Sequence, residues 1–166
     1  MAEKKEILKI KKLSKDVELP EYVNSEVGID LRANENISIE PYEQKIIKTG
    51  IAMEIPKNHV GLIRDRAGIV KKMGIHTSAG TFDPNYRGEI SVILVNFGDE
   101  AVLIEKGMRI AQLVILPVTK VSIKQVEKLE DSERGEKGFG STGIKDILNK
   151  DDLEEITGKR MKLKKK

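Results

Sequence analysis

Short apolar segments separated by frequent turns are the feature that most limits the folds open to this chain. In residues 47–55 polar or small residues alternate with a series formed by Ile47, Thr49, Ile51, Met53 and Ile55, which is the repeat of a half-buried β-strand. Residues 7–10 and 121–124 alternate in the same way. Residues 90–95 and 113–116 are nearly continuous apolar runs, which predicts strands covered on both faces by a second sheet or another subunit. We therefore expect an all-β sandwich or barrel.

Composition narrows the class of protein further. The 166 residues suit about one domain, and residues 67–73 are the one short helical candidate inside it. The 30 basic and 27 acidic residues nearly balance, so we expect no nucleic-acid binding except through the lysine-rich C-terminus. The chain has no cysteine and two histidines, which excludes disulfides and argues against a zinc site. It shows no apolar membrane segment and no signal peptide, so we expect a cytoplasmic protein without a membrane partner.

The segment of residues 80–88 places a carboxylate and an aromatic ring three residues apart in a glycine-flanked turn. The turn leads directly into the apolar strand of residues 90–97, which would hold its side chains rigidly. Asp83 is a candidate base, and Tyr86 could pack against a ring. Taken alone, the segment is also compatible with an ordinary hairpin.

A second unusual segment, residues 134–143, contains four glycines whose backbone N–H groups could converge on an anion. Arg134 adds a planar cation suited to phosphate, Ser141 and Thr142 add hydroxyl donors, and Phe139 could cover a flat ligand. This combination indicates a nucleotide. It is neither a Walker A loop nor a dinucleotide fingerprint, and a disordered glycine-rich linker is the alternative.

Two other positions are chemically ambiguous when each is taken alone. Asp30 lies between apolar residues in a strand-like segment, so it is either a surface residue or part of a site. Arg64 and Arg66 flank Asp65, which would be typical of a salt-bridged surface turn.

In combination, five segments in this order resemble the motifs of the homotrimeric dUTP diphosphatases (dUTPases), over residues 8–143. The five segments are residues 28–33, 65–68, 80–88, 107–113 and 134–143. The resemblance implies a jelly-roll-like β-clip fold and a homotrimer with active sites shared between chains. It divides the chain into a β domain (1–133), a flexible arm that closes over the nucleotide (134–143) and a charged C-terminal extension (144–166).

The resemblance also implies a reaction. Asp83 matches the base that activates water for attack on the α-phosphorus of dUTP, giving dUMP for thymidylate synthesis and pyrophosphate. Asp30 matches the carboxylate that reaches Mg²⁺ through water, and Tyr86 the ring that packs under the deoxyribose. Arg134 matches a γ-phosphate contact, and Phe139 the ring that covers uracil. Further substrate contacts are implied at Arg66, Ala67, Gly68, Thr77, Gly80, Thr81, Gln112, Gly140, Ser141 and Thr142.

Three positions depart from the family pattern. Ala67 replaces a serine that contacts the phosphate chain, Asp65 stands where proline is common, and Thr77 stands where some members have a uracil-binding asparagine. The loss of the serine hydroxyl predicts a lower rate. A non-catalytic, nucleotide-binding regulatory trimer is therefore one alternative function.

The other alternative is dCTP deaminase, or a bifunctional dCTP deaminase and dUTPase, because residues 76–84 have a deaminase-like pattern. The deaminases resembled carry a catalytic glutamate on the following strand. Ile93 occupies that position here and cannot transfer a proton.

Overall fold

The computed structural model describes residues 6–22 and 27–136 of the chain. The chain divides into two compact units, with the boundary between Ser122 and Ile123. In the described part of the first unit, ten strands and one helix follow one another: β1 (Lys9–Lys12), β2 (Ile29–Arg32), β3 (Ile37–Ile39), β4 (Gln44–Glu54), β5 (His59–Arg64), α1 (Ala67–Met73), β6 (Ile75–Thr77), β7 (Thr81–Phe82), β8 (Glu89–Asn96), β9 (Val102–Ile104) and β10 (Arg109–Pro117). Residues 123–136, in the second unit, are exposed and contain neither helix nor strand.

Two four-stranded antiparallel sheets make up most of the first unit. Their strand orders are β1-β4-β8-β6 and β2-β10-β5-β7, and β3 pairs with β9 in a separate ribbon. Side chains from all three sheets, such as Ile47, Leu113 and Ile104, belong to one buried cluster. This arrangement confirms the predicted all-β fold with a single short helix. The predicted flexible arm lies largely outside the described residues.

Strand β8 contains the apolar run of residues 90–95, for which the sequence predicted burial on both faces. Val92 and Leu94 are fully buried, whereas Ile93 and Val95 on the other face are only half-buried. Within the single chain, therefore, one face of this strand is covered and the other is still accessible. The sequence analysis allowed a second subunit as the cover for such a face.

The strand predicted for residues 121–124 is wrong. Val121 is 78% exposed and Ile123 is 98% exposed, and these residues form no strand. Alternation shows that a segment could fit a sheet, but a strand also needs a neighbour for its backbone hydrogen bonds. No described strand supplies one here.

Helix α1 spans the seven residues that the sequence predicted. It begins after Arg66, whose backbone is extended, and its one buried residue is Ile69. It ends at Gly74, where φ is 65° and the N–H donates to the Val70 carbonyl at 3.0 Å. This left-handed turn is favourable for glycine and stops the helix before β6. No helix in the described ranges has the length and apolar content of a membrane span.

Asn96 fixes the end of β8 although it is a polar residue in the core. Its Nδ2 donates to the carbonyls of Ile39 at 3.0 Å and Glu100 at 2.8 Å, and its Oδ1 accepts from the Gly98 N–H at 2.9 Å. The buried amide thus has partners on both atoms, which removes the cost of its desolvation. It connects β8 to β3 and to the loop that follows β8.

Candidate active site

Asp30 is buried at the centre of a charged cluster. Of the two alternatives that the sequence left open, a surface residue or part of a site, the surface residue is therefore wrong. It lies on β2 with 8% of its surface exposed. Arg66 Nε donates to Asp30 Oδ1 at 2.7 Å, and Arg109 Nε lies 3.3 Å from Oδ2. Two cations therefore compensate the charge of one nearly buried carboxylate, which is the condition for burying an ion without a large cost.

Gln112 adds an amide to this cluster from the neighbouring strand. It lies opposite Asp30 in the register of β10 with β2, and its Nε2 donates to the Asp65 carbonyl at 2.8 Å. A Cβ added to Gly28 would lie 2.4 Å from Gln112 Oε1, so only glycine lets the amide side chain occupy this position. Gly28 is therefore required for the contact between the first sequence segment (residues 28–33) and Gln112 of the fourth (residues 107–113).

A groove of about 470 Å³ brings five of the predicted site residues together. These five residues are Asp30, Arg66, Ala67, Gly68 and Gln112. They come from the first, second and fourth segments, and strands β2, β5 and β10 hold them side by side. We call this set the phosphate cluster.

Cations predominate on the adjoining surface. A second groove, of about 430 Å³, is lined by Arg32, Arg66, Lys72 and Arg109 among others. Three guanidinium groups and an ammonium group suit an anion with several oxygens, such as a phosphate chain. The sequence analysis did not select Arg32 or Arg109, since neither has a local signal and their proximity to Asp30 depends on the pairing of β2 with β10.

The predicted turn residues lie on a second structure, the β6–β7 segment, which runs from β6 through β7 into the turn that follows. Its two strands belong to different sheets, since β6 pairs with β8 and β7 with β5. Gly80, between them, has a φ of 140°, and its carbonyl accepts from the Ile63 N–H at 2.8 Å. A Cβ at Gly80 would lie 2.3 Å from the Ile63 Cβ, so the segment can approach β5 only with glycine here. Thr81 is exposed and pairs with Leu62 of β5, which fixes the segment to the second sheet.

Tyr86 and Asp83 are held by the same turn. The Tyr86 N–H donates to the Asp83 carbonyl at 3.1 Å, and the Tyr86 hydroxyl donates to the Glu89 carbonyl at 3.1 Å. The Tyr86 ring lies against Gly88, where an added Cβ would be 2.3 Å from the hydroxyl, and its centroid is 5.7 Å from that of Phe82. The ring therefore has a defined position on the surface.

The Asp83 carboxylate is exposed and has no hydrogen-bond or ion-pair partner in the described parts of the chain. It borders a groove of about 910 Å³ together with Thr81, Lys57, His59 and Lys120. A carboxylate whose oxygens are available and which sits on a rigid turn can accept a proton from a positioned water.

The phosphate cluster and the Asp83 turn line different grooves that share no residue. One chain thus presents two separate parts of the predicted site. Of the predicted arm residues, Arg134 is exposed and belongs to the second unit. The others lie outside the described residues: Phe139, Gly140, Ser141 and Thr142.

Asp65 is a residue whose role the sequence analysis missed. Its Oδ1 accepts from the Thr77 N–H at 2.6 Å and from the Thr77 hydroxyl at 2.7 Å, and its Oδ2 lies 2.9 Å from His76 Nδ1. Burial raises the pKa of Asp65, but the bonds from Thr77 and His76 outweigh it and hold the pKa below its ordinary value. Two of the three departures from the family pattern are therefore in direct contact.

The residues present are compatible with Mg²⁺ bound together with a phosphate ligand. The described residues contain no group of three or more acidic or histidine side chains that could hold an ion by themselves. Asp30 Oδ2, however, is shielded from solvent and accepts no hydrogen bond, although Arg109 lies near it. Mg²⁺ usually takes one or two carboxylates and completes its shell with phosphate oxygens and water. A single carboxylate beside a phosphate cluster fits that pattern.

Comparisons with known proteins agree on one family. A sequence model described as dUTPase matches residues 16–143. The deoxyuridine 5'-triphosphate nucleotidohydrolase of Clostridium kluyveri is 48% identical over 139 residues, covering 82% of this chain and 97% of that protein. The dUTPase of Staphylococcus bacteriophage 80alpha, solved with dUPNHPP, has a TM-score of 0.79 and 35% identity, covering 84% of this chain and 100% of that one. A mutant dUTPase from phage phi11 of S. aureus, described with a structural Mg(II) ion, has a TM-score of 0.71 and 27% identity over 76% of this chain and 100% of that one.

Proposed function

The chain belongs to the dUTPase family, and on that premise we propose that it hydrolyses dUTP to dUMP and pyrophosphate. The family resemblance seen in the five segments is confirmed by the match over residues 16–143. The observation that carries the proposal is the phosphate cluster, in which residues from three distant segments line one groove beside a surface rich in cations. The positive charges suit the negatively charged triphosphate of dUTP, and the exposed Asp83 carboxylate supplies a base.

In the proposed reaction Asp83 orients a water molecule and accepts its proton. The water oxygen bonds to the α-phosphorus of dUTP, and the bond from that phosphorus to the bridging oxygen of the β-phosphate breaks. The electron pair leaves with pyrophosphate, and dUMP remains. Asp83 suits this role because its turn is closed by a backbone bond to Tyr86, which leaves both carboxylate oxygens available. Tyr86 offers the deoxyribose a ring that its own hydroxyl bond holds in place.

The phosphate cluster would bind the triphosphate on the side away from the base. Arg66 can direct its remaining N–H groups to phosphate oxygens while its Nε stays bonded to Asp30. Asp30 would hold Mg²⁺ through water, and the bound ion would supply neutralisation of the phosphate charge. The phage phi11 relative, described with Mg(II), supports the choice of metal.

We also propose that the protein is a homotrimer whose sites are shared between chains. Two facts support this: the phosphate cluster and the Asp83 turn do not share a groove in one chain, and the outer face of β4 and β8 carries an apolar patch that the described residues leave uncovered. On that face Ile46 is 62% exposed and pairs in register with Ile93, and Phe97, just after β8, is 60% exposed. A contiguous apolar patch of this kind is typical of an interface. The cytoplasmic location stays a prediction from the sequence.

Release of pyrophosphate from dUTP, dCTP, dTTP and UTP with Mg²⁺ tests the proposed function. Turnover of dUTP alone supports it. Ammonia release from dCTP would support the deaminase alternative, which Ile93 argues against because its half-buried aliphatic side chain cannot transfer a proton. Binding of dUTP without turnover would overturn the proposal in favour of a regulatory trimer.

A further inference from the structure

Asp65 connects three parts of the first unit that are distant in sequence. It lies in the link between β5 and α1, next to Arg66. Its carboxylate accepts both donors of Thr77, on β6, and lies 2.9 Å from the ring of His76. Its carbonyl accepts from Gln112, on β10. One residue therefore joins the link that carries Arg66 to β6 on one side and to Gln112 of the phosphate cluster on the other.

We propose that Asp65 is a positioning residue for both parts of the site, and that Thr77 acts through Asp65 rather than by contacting the uracil. The inference rests on the proposed dUTP hydrolysis, since the groups that Asp65 positions are assigned to that substrate. It concerns residues that the family resemblance treats as departures, so it is a property of this chain.

The hydrogen bonds of Thr77 carry the first half of the inference. The backbone N–H and the hydroxyl hydrogen are its only donors, and both point to Asp65 Oδ1 at 2.6 and 2.7 Å. Bonds to an ionised carboxylate are short and about twice as strong as neutral ones, so a uracil carbonyl would compete poorly for either donor. Thr77 therefore has no donor left for a uracil carbonyl, unlike the side-chain amide of an asparagine.

The second half of the inference rests on how the chain is held between β6 and Gly80. Thr77 ends β6, and Gly80, three residues later, is bonded to Ile63 of β5. β6 itself is held by its pairing with β8, so the Asp65 contact fixes the position of the link that carries Arg66 relative to β6. Removing that contact would release the link from β6 and would also loosen the carbonyl that orients Gln112. A displacement of about 1 Å in a site can lower a rate by roughly 100-fold.

The side chain of Asp65 is suited to a test by substitution. It is 36% exposed, so its removal leaves no closed cavity, and the variant is expected to fold. Asp65→Ala removes all the carboxylate bonds, while Asp65→Asn keeps one acceptor oxygen. Thr77→Val removes only the hydroxyl bond, and Thr77→Ser keeps it. Asp99→Ala is the matched control, because Asp99 is an exposed carboxylate that bonds only the Tyr42 hydroxyl at 3.0 Å.

The experiment measures kcat and KM for dUTP and the ratio of kcat/KM for dUTP to that for dTTP, with thermal unfolding of each variant. We expect Asp65→Ala to lower kcat by about tenfold to 100-fold and to lower the dUTP:dTTP ratio, because both ends of the site shift. Thr77→Val lowers kcat and the dUTP:dTTP ratio by smaller factors. Thr77→Ser, which keeps the hydroxyl bond to Asp65, restores most of the loss seen in Thr77→Val, and Asp99→Ala matches the parent. In the double variant Asp65→Ala/Thr77→Val the losses do not add, because both changes remove the same contact.

Two results would overturn the inference. One is an Asp65→Ala protein whose kcat and nucleotide ratio stay within about twofold of the parent, even if its unfolding temperature falls; the other is full additivity in the double variant.

Should Asp65→Ala fail to fold, the same comparison is made with Asp65→Asn. If the parent itself releases no pyrophosphate, the proposed function fails separately, and dUTP affinity then decides: a loss of at least about tenfold in Asp65→Ala supports the positioning role, and equal affinity contradicts it.

Discussion

At the scale of single residues, Ala67 is the position where this chain departs most directly from the chemistry of its family. It is the first residue of α1, it is exposed, and it lines the phosphate cluster groove with Asp30 and Gln112. Alanine offers no hydroxyl to a phosphate at this position. The missing donor should therefore limit the rate and leave the fold unaffected.

Ala67→Ser is expected to raise kcat for dUTP. One hydrogen-bond donor directed at transition-state charge contributes up to about 100-fold in rate, and the exposed position accommodates the extra oxygen. Single-turnover kinetics with Ala67→Ser and Ala67→Val measure the effect, since valine adds bulk without a donor. An equal or lower rate for the serine variant would show that this chain binds the phosphates in another way.

At the scale of elements, the sequence predicted the type of a secondary-structure element more reliably than the contacts of that element. The sequence predicted the short helix at Ala67–Met73, and the alternation of residues 47–55 predicted β4. Alternation failed for residues 121–124, because a strand depends on a partner elsewhere in the chain. The contacts of Arg109 with Asp30 and of Asp65 with Thr77 could not be predicted for the same reason: they depend on strand pairing and on the path of the chain after β5.

The contact between the β5–α1 link and β6 predicts a pH dependence of stability. Because the pKa of Asp65 lies below its ordinary 3.8, the bonds from Thr77 and His76 contribute stability that is complete above the unfolded pKa. That contribution is lost as the pH falls through the folded pKa. Urea unfolding of the parent and of Asp65→Asn should therefore show a constant difference in the free energy of unfolding between about pH 5 and 6, which shrinks below about pH 4. A difference that grew in acid would contradict the assigned charge.

At the scale of the whole molecule, the separation of the phosphate cluster from the Asp83 turn is the main structural argument for an oligomer. In the proposed mechanism neither part completes the reaction alone, because the base and the phosphate ligands would act on one substrate. The exposed apolar face around Ile46, Ile93 and Phe97 provides a surface through which copies could associate. Assembly and activity should then depend on each other.

Ile46→Glu is expected to break the proposed trimer and to abolish dUTP turnover together, because a buried and unpaired carboxylate destabilises an interface. Leu103→Glu is the matched control, since Leu103 on β9 is similarly exposed and belongs to a separate ribbon. Sedimentation velocity with a parallel pyrophosphate assay checks both properties. An Ile46→Glu protein that is monomeric and fully active would refute shared sites.

The most direct test of the account is the rate of pyrophosphate release from dUTP by Asp83→Asn. The backbone carbonyl of residue 83 closes the turn with Tyr86, so the substitution removes the base and leaves the turn intact. The account predicts a loss of about 1,000-fold in kcat, within the range for a general base, with dUTP affinity nearly unchanged. A variant that releases pyrophosphate as fast as the parent would contradict the assignment of Asp83 and the mechanism built on it.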